Sequence, residues 1–159
     1  MAKTALQFRH NGSDVAIFVD GGTNLLVALR ELIGDMTPKF GCGQGGCGTC
    51  SVLIDGDLHL SCLTLAETVA GRSVETLDSL KQGPNLHPLQ RAFAENFAAQ
   101  CGYCTPGMLM AAKALLDRNP SPSHAEIVEA ISGNICRCTG YEPIINAVLA
   151  AATSGRARA

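Results

Sequence analysis

The hydrophobic pattern of this chain changes period once along its length. Leu6 and Phe8 alternate with polar neighbours, Asn11-Gly12 follows, and Val15, Ile17 and Val19 resume the alternation. Period two on both sides of Asn-Gly predicts a hairpin, because a tight primed turn needs positive φ. Leu25, Leu26, Leu29, Leu32 and Ile33 suit a 3.6 period, with Thr23 or Asn24 as the cap and Gly34 as the stop. Residues 51–54, the turn Asp55-Gly56 and residues 58–61 predict a second hairpin with Cys62 at its end, and residues 74–77 a short further strand. This half reads as a small mixed sheet with a helix across it.

Around residues 81–85 the alternation stops and helical spacing takes over. Residues 87–99 place Leu89, Phe93 and Phe97 on one face. Thr105 is expected to cap a helix with Pro106 at its first position, where the missing N–H costs nothing. That helix continues through Met108, Leu109, Ala112 and Leu115 to Asn119-Pro120. Ser123 with Glu126 predicts a capping box for a third helix ending near Gly133, and residues 144–152 predict a fourth. The expected fold class is therefore α+β, with domains at 1–80 and 84–159, the second a small helical bundle. The tail, 153–159, is small and polar and is expected to be mobile.

The length of 159 residues allows one ordinary domain or two small ones, and domains much below ~70 residues usually need a staple such as a metal. Eight cysteines sharpen that point. Residues 1–8 show no apolar export segment, so a cytoplasmic location is expected, where clustered cysteines serve metal or redox chemistry. A formal charge of −2 without a basic run argues against nucleic acid or an anionic membrane surface as partner. No apolar stretch approaches the ~20 residues of a membrane span. Charged residues make up 16%, against about 25% in ordinary soluble domains, so much of the surface is expected to be covered by other subunits.

Cys42-x4-Cys47-x2-Cys50, with Cys62 downstream, has the spacing of plant-type 2Fe-2S ferredoxins. Gly41, Gly43, Gly45, Gly46 and Gly48 supply the φ angles that turn backbone N–H groups toward an anionic cluster. Structural zinc also takes four thiolates, but usually from two closely spaced pairs and without such glycine density. Gly43-x-Gly45-x-x-Gly48 spells the dinucleotide fingerprint, yet it interleaves with cysteines and opens no βαβ unit. Cys101-x2-Cys104 and Cys136-x-Cys138 form a second set of four thiolates, each pair at the mouth of an expected helix, so that positive helix ends face an anionic group. His10, His59, His87 and His124 are scattered without ligand spacing and suit surface or capping roles. Met108 and Met110 suit packing. Arg137, between two of the cysteines, is either solvated or paired with the cluster or a partner's carboxylate.

GCGQGGCGTC (41–50), CGYCTPGM (101–108) and GNICRCTGY (133–141) resemble the iron-sulfur subunit of the xanthine oxidase family of molybdenum hydroxylases. Small subunits of carbon monoxide dehydrogenase, 4-hydroxybenzoyl-CoA reductase and N-heteroaromatic oxidoreductases look similar. The likeness extends beyond these three stretches, from about Leu6 to Ala151, and so takes in all eight cysteines, Cys62 included. The resemblance implies an N-terminal β-grasp ferredoxin-like domain and a C-terminal four-helix bundle domain, each with one 2Fe-2S cluster. By carry-over, Cys42, Cys47, Cys50 and Cys62 hold the cluster toward FAD, and Cys101, Cys104, Cys136 and Cys138 the one toward molybdenum. Gln100 and Cys138 are implied to contact molybdopterin held by a partner. The implied role is electron transfer from a large molybdenum-cofactor subunit to FAD on a medium subunit, in a heterotrimer or a dimer of heterotrimers, with no catalytic residue on this chain. The alternative is a free-standing two-cluster ferredoxin-type carrier. The chain departs from the family pattern at Gln44, where acidic residues are frequent, and at Thr49-Cys50-Ser51, where Ala-Cys-Thr is usual. The substrate, which binds on another chain, is not legible here.

Overall fold

The structure, a computed structural model, describes residues 3–80 and 83–156. Strands β1 (Lys3–His10) and β2 (Ser13–Asp20) pair antiparallel from Lys3 opposite Asp20 to His10 opposite Ser13. Asn11 (φ 49°) and Gly12 (φ 84°) make the expected primed turn. Asp55 (φ 52°) and Gly56 (φ 89°) repeat it between β3 (Ser51–Ile54) and β4 (Asp57–Leu60). With β5 (Ser73–Glu75) these strands form one mixed sheet in the order β2-β1-β5-β3-β4, in which β5 runs parallel to β1 and antiparallel to β3.

Along β1 the alternation is kept, with Leu6 and Phe8 buried and Gln7 and Arg9 exposed. β3 instead buries all four of its residues, because both of its faces are covered. Val52 and Ile54 join the core under the sheet, whereas Leu53 packs with Met110 and Ala114 from the helical half.

The expected helix over residues 25–33 forms with a different pitch. Asn24 Oδ1 accepts from Val27 N at 2.9 Å and caps α1 (Leu25–Val27), which widens at once into a π-helical stretch, Ala28–Ile33, closed by Gly34 at φ 84°. Leu25, Ala28 and Leu29 sit in the sheet core while Leu32 faces outward, so the apolar positions do not form the single 3.6-period face that their spacing predicts.

The second half contains α2 (Pro88–Glu95), α3 (Thr105–Arg118), α4 (His124–Ile131) and α5 (Glu142–Arg156). Its core includes Leu89, Phe93, Met108, Ile127, Ile144 and Val148. Each such side chain, fully buried, stabilises by roughly 1.5–3 kcal/mol. Ser123 and Glu126 form the expected capping box, and His87 with Gln90 forms a second at the start of α2.

Three details correct the expectations. α2 ends at Glu95 rather than near residue 99, and Phe97, at φ 54° and 81% exposed, leaves the face it was expected to share with Leu89 and Phe93. The turn is closed by Ala98 N donating to Phe93 O at 2.9 Å, which directs the chain toward Cys101. The N-cap of α3 is Cys104 without a side-chain cap bond, so Thr105 and Pro106 are the first two helical residues and Thr105 caps nothing. Finally, α5 continues through Arg156, so 153–156 of the expected mobile tail is helical. Residues 157–159, and Lys81 and Gln82 of the expected linker, lie outside the described residues. No described helix is long and apolar enough to cross a membrane.

Candidate metal centres

The loop of residues 41–50 precedes β3 and owes its shape to Gly43, Gly45 and Gly48, with φ of 67°, 81° and 69°. Its sulfurs meet in twos, Cys42 beside Cys47 and Cys50 beside Cys62. Gln44 N–H points at Cys42 Sγ over 3.5 Å and is the main reason that this thiol is lowered to about 7. Burial pushes Cys50 up to about 11, and it packs with Cys62, Leu26 and Leu60. Thr49 Oγ1 lies 3.2 Å from Cys47 Sγ and 3.1 Å from Lys39 O.

The second set follows the same two-by-two plan. Cys104 and Cys136, both buried, interact with each other, as do the exposed Cys101 and Cys138. Burial first, then Cys136, pushes Cys104 up to about 12, and the contact with Cys101 raises Cys138. Burial works against Cys136 as well, yet the Thr139 hydroxyl and the N–H groups of Thr139 and Cys138 hold its thiol below the usual range. Thr139 Oγ1 donates to Cys136 Sγ at 3.2 Å and accepts from Tyr141 N at 3.2 Å. Tyr141 Oη in turn accepts from Cys136 N at 3.0 Å. One expected helix end is in place, since α3 starts directly behind Cys104; α5 starts only at Glu142, beyond Tyr141 at φ 72°.

These residues fit two-iron clusters. Cysteines in two pairs per site offer two thiolates to each iron, and backbone N–H groups and hydroxyls already point at sulfur. Thr105 Oγ1, next to Cys104, is buried without a partner among the described residues, as a donor meant for a cluster sulfur would be. Among the described residues no group of three or more His, Cys, Asp or Glu is arranged to hold a single metal ion.

The two sets meet across a close seam. Ile135 N donates to Cys47 O at 2.9 Å, so one hydrogen bond links the backbone of Cys47 to the residue before Cys136. Beside it Asn134 Nδ2 donates to Gly48 O at 2.9 Å, and Tyr103 Oη donates to Phe40 O at 2.6 Å.

Gln100 is exposed beside Cys101, and Arg137 is exposed between Cys136 and Cys138. Met108 and Met110 are fully buried, consistent with packing. His87 caps α2, His124 opens α4, His59 lies on β4, and His10 Nε2 sits 2.9 Å from Asp35 Oδ2. Sequence reasoning missed Thr49, Thr139, Asn134 and Tyr141. Their only sequence signal is position, one to three residues from a cysteine.

A plant-type cluster loop on a mixed sheet, joined to a helical unit with a second set of four cysteines, defines a two-cluster iron-sulfur protein. A family described as 2Fe-2S iron-sulfur cluster binding domain matches residues 8–74, and one described as 2Fe-2S binding domain matches residues 74–149. The chain is 48% identical over 139 residues to the nicotine 6-hydroxylase small subunit of Paenarthrobacter nicotinovorans, spanning 87% of this chain and 84% of that one. It is 43% identical over 148 residues to the nicotinate dehydrogenase small FeS subunit of Eubacterium barkeri, spanning 93% and 94%. Among solved structures, quinoline 2-oxidoreductase from Pseudomonas putida 86 has a chain that superposes with a TM-score of 0.94 at 45% identity, covering 98% of this chain and 97% of that one. The chain belongs to the iron-sulfur small subunits of the xanthine oxidase family of molybdenum hydroxylases. It is an electron-transfer subunit that works with partner subunits in an oxidoreductase complex.

Proposed function

We propose that this chain carries electrons one at a time from a molybdopterin centre on a large subunit to FAD on a medium subunit, in a cytoplasmic heterotrimer or dimer of heterotrimers. Cys101, Cys104, Cys136 and Cys138 hold the cluster toward molybdenum, in a domain spanning 84–159. Cys42, Cys47, Cys50 and Cys62 hold the cluster toward FAD, in a domain spanning 1–80. When bound, each 2Fe-2S cluster accepts and releases a single electron. The chain's own residues orient the sulfurs, keep water from the buried thiolates and fix the spacing between the two sets. Gln100, exposed beside Cys101, is available to donate its amide to a pterin on the partner, with Cys138 exposed nearby.

The observation that supports this reading best is the Ile135 N–H bond to Cys47 O at 2.9 Å. It leaves two four-cysteine sets joined by covalent bonds and a single hydrogen bond, the arrangement a relay needs. Low charge and exposed apolar residues such as Phe40, Leu63, Phe97 and Ile135 fit a protein covered by partners. Purification from the native source tests the reading. Co-elution with molybdenum and flavin is expected, with roughly four iron and four acid-labile sulfide per chain. Elution alone and without molybdenum favours the free carrier, and zinc without sulfide removes the cluster reading.

A further inference from the structure

Cys47 and Cys136 stand at the two ends of the seam: Cys47 O accepts from Ile135 N, and Cys136 follows Ile135 in the chain. Each of these two cysteines also has a threonine hydroxyl on its sulfur. Thr49 Oγ1 lies 3.2 Å from Cys47 Sγ, and Thr139 Oγ1 lies 3.2 Å from Cys136 Sγ. The two loops are unrelated in sequence and in fold, so the correspondence is not a repeat of one motif.

The direction of each bond follows from proton counting. Thr139 Oγ1 accepts from Tyr141 N, which leaves its own proton for Cys136 Sγ. Thr49 Oγ1 has two acceptors within reach of its one proton, Lys39 O at 3.1 Å and Cys47 Sγ at 3.2 Å. A thiolate bound to iron has no proton, so across that contact only the hydroxyl can donate. Hydrogen bonds to a charged acceptor strengthen as its charge grows, and they count for more at buried positions such as Thr49. An added electron makes cluster sulfurs more negative, so each hydroxyl favours the reduced form of its own cluster and raises its potential.

We infer that Thr49 and Thr139 form an opposed pair of hydroxyl donors that sets the potential difference between the two clusters. The inference rests on the ligand reading proposed above. The step it governs moves one electron: the cluster of the helical half is oxidised by one, and the cluster of the ferredoxin-like half is reduced by one. No bond breaks and no proton moves. Electrons enter from substrate oxidation on the molybdenum partner and leave to the flavin. Thr49 pulls the electron forward, and Thr139 holds it back.

The test is a redox titration of both iron-sulfur signals by electron paramagnetic resonance, in the assembled complex. Thr49→Val is expected to lower the midpoint of the ferredoxin-half signal alone, and Thr139→Val that of the helical-half signal alone. The intercluster equilibrium constant then moves about tenfold in opposite directions, which is ~59 mV for a one-electron couple. Thr49→Ser and Thr139→Ser keep the hydroxyl and are expected to retain the parent potentials. Should a valine variant not assemble, alanine against serine at the same position gives the same comparison. Potentials that ignore the substitutions, that shift together, or that move as far with serine as with valine overturn the inference. A parent complex without two resolvable signals overturns the ligand reading first, and this inference with it.

Discussion

Asn134, in the helical half, donates its side-chain amide to the carbonyl of Gly48, in the first cysteine loop, at 2.9 Å across 86 residues of sequence. It is 3% exposed, and its Nδ2 also lies 3.4 Å from Ser51 Oγ. Gly48 O further accepts from Ser51 N at 3.1 Å and Ser51 Oγ at 2.7 Å, so this one carbonyl gathers donors from both halves. The seam is thus fixed by polar geometry next to Cys47 as well as by apolar contact.

Asn134→Ala removes one of several donors to that carbonyl and is expected to cost about 1–2 kcal/mol. Asn134→Asp is closer in shape and should be worse, by about 3 kcal/mol or more, because a buried carboxylate then faces a carbonyl oxygen. Urea unfolding of the two variants checks the order. A milder effect from aspartate than from alanine would contradict the donor role.

Gly107 lies inside α3, where replacing glycine by alanine ordinarily stabilises by about 1 kcal/mol. Here a methyl group would press into the carbonyl oxygen of Gly48, which is backbone and cannot swing away. Gly107→Ala is therefore expected to destabilise by roughly 1–3 kcal/mol, the penalty of overpacking. Thermal unfolding gives the sign, and the sign alone separates a close-approach glycine from an incidental one.

What was legible in the sequence is what short-range chemistry dictates. Asn11-Gly12 and Asp55-Gly56 announced their turns because positive φ is a local demand, and Ser123 with Glu126 announced a cap for the same reason. The cysteines announced themselves by spacing. The place of Phe97 depends on where the chain must go after α2, which no local period encodes, and a period of apolar residues does not distinguish the π-helical from the α-helical pitch over so short a segment. Asn134, Thr49 and Thr139 were silent because their partners come from folding one loop onto another. Asp35 was silent too, although it collects a buried network from separate segments of the chain.

Asp35 has a side chain that is 3% exposed; its carboxylate accepts from Thr37 N at 2.9 Å, Thr37 Oγ1 at 2.6 Å and Thr76 Oγ1 at 2.6 Å, with His10 Nε2 at 2.9 Å. Burial alone would raise its pKa, but the bonds from His10, Thr37 and Thr76 outweigh it and hold the carboxyl well below the usual range. A depressed folded pKa stabilises fully above the unfolded value of about 3.9, and that stability is lost as pH falls below it. Asp35→Asn should therefore cost about 2–3 kcal/mol near neutrality. The gap to the parent should narrow as the pH drops from about 4 toward 3. Urea midpoints of both proteins across that interval test it, and a gap independent of pH would exclude the ionised network.

Cys104 tests how the cysteines are divided. The two sets touch through backbone, Ile135 N to Cys47 O, and the sulfurs pair only within their own half. Cys104→Ser, which places a poor iron ligand at a buried position, is expected to abolish one spectroscopic signal and leave the other. Iron should fall from roughly four to roughly two per chain. The helical half should also unfold at lower temperature, since binding free energy at a metal site is folding free energy. The sheet half keeps its own core, including Leu6, Phe8, Val52 and Ile54, and should keep its loop intact. Loss of both signals in a protein whose sheet half is still folded would mean that the clusters share more than a hydrogen bond, and the one-cluster-per-half division would have to be abandoned.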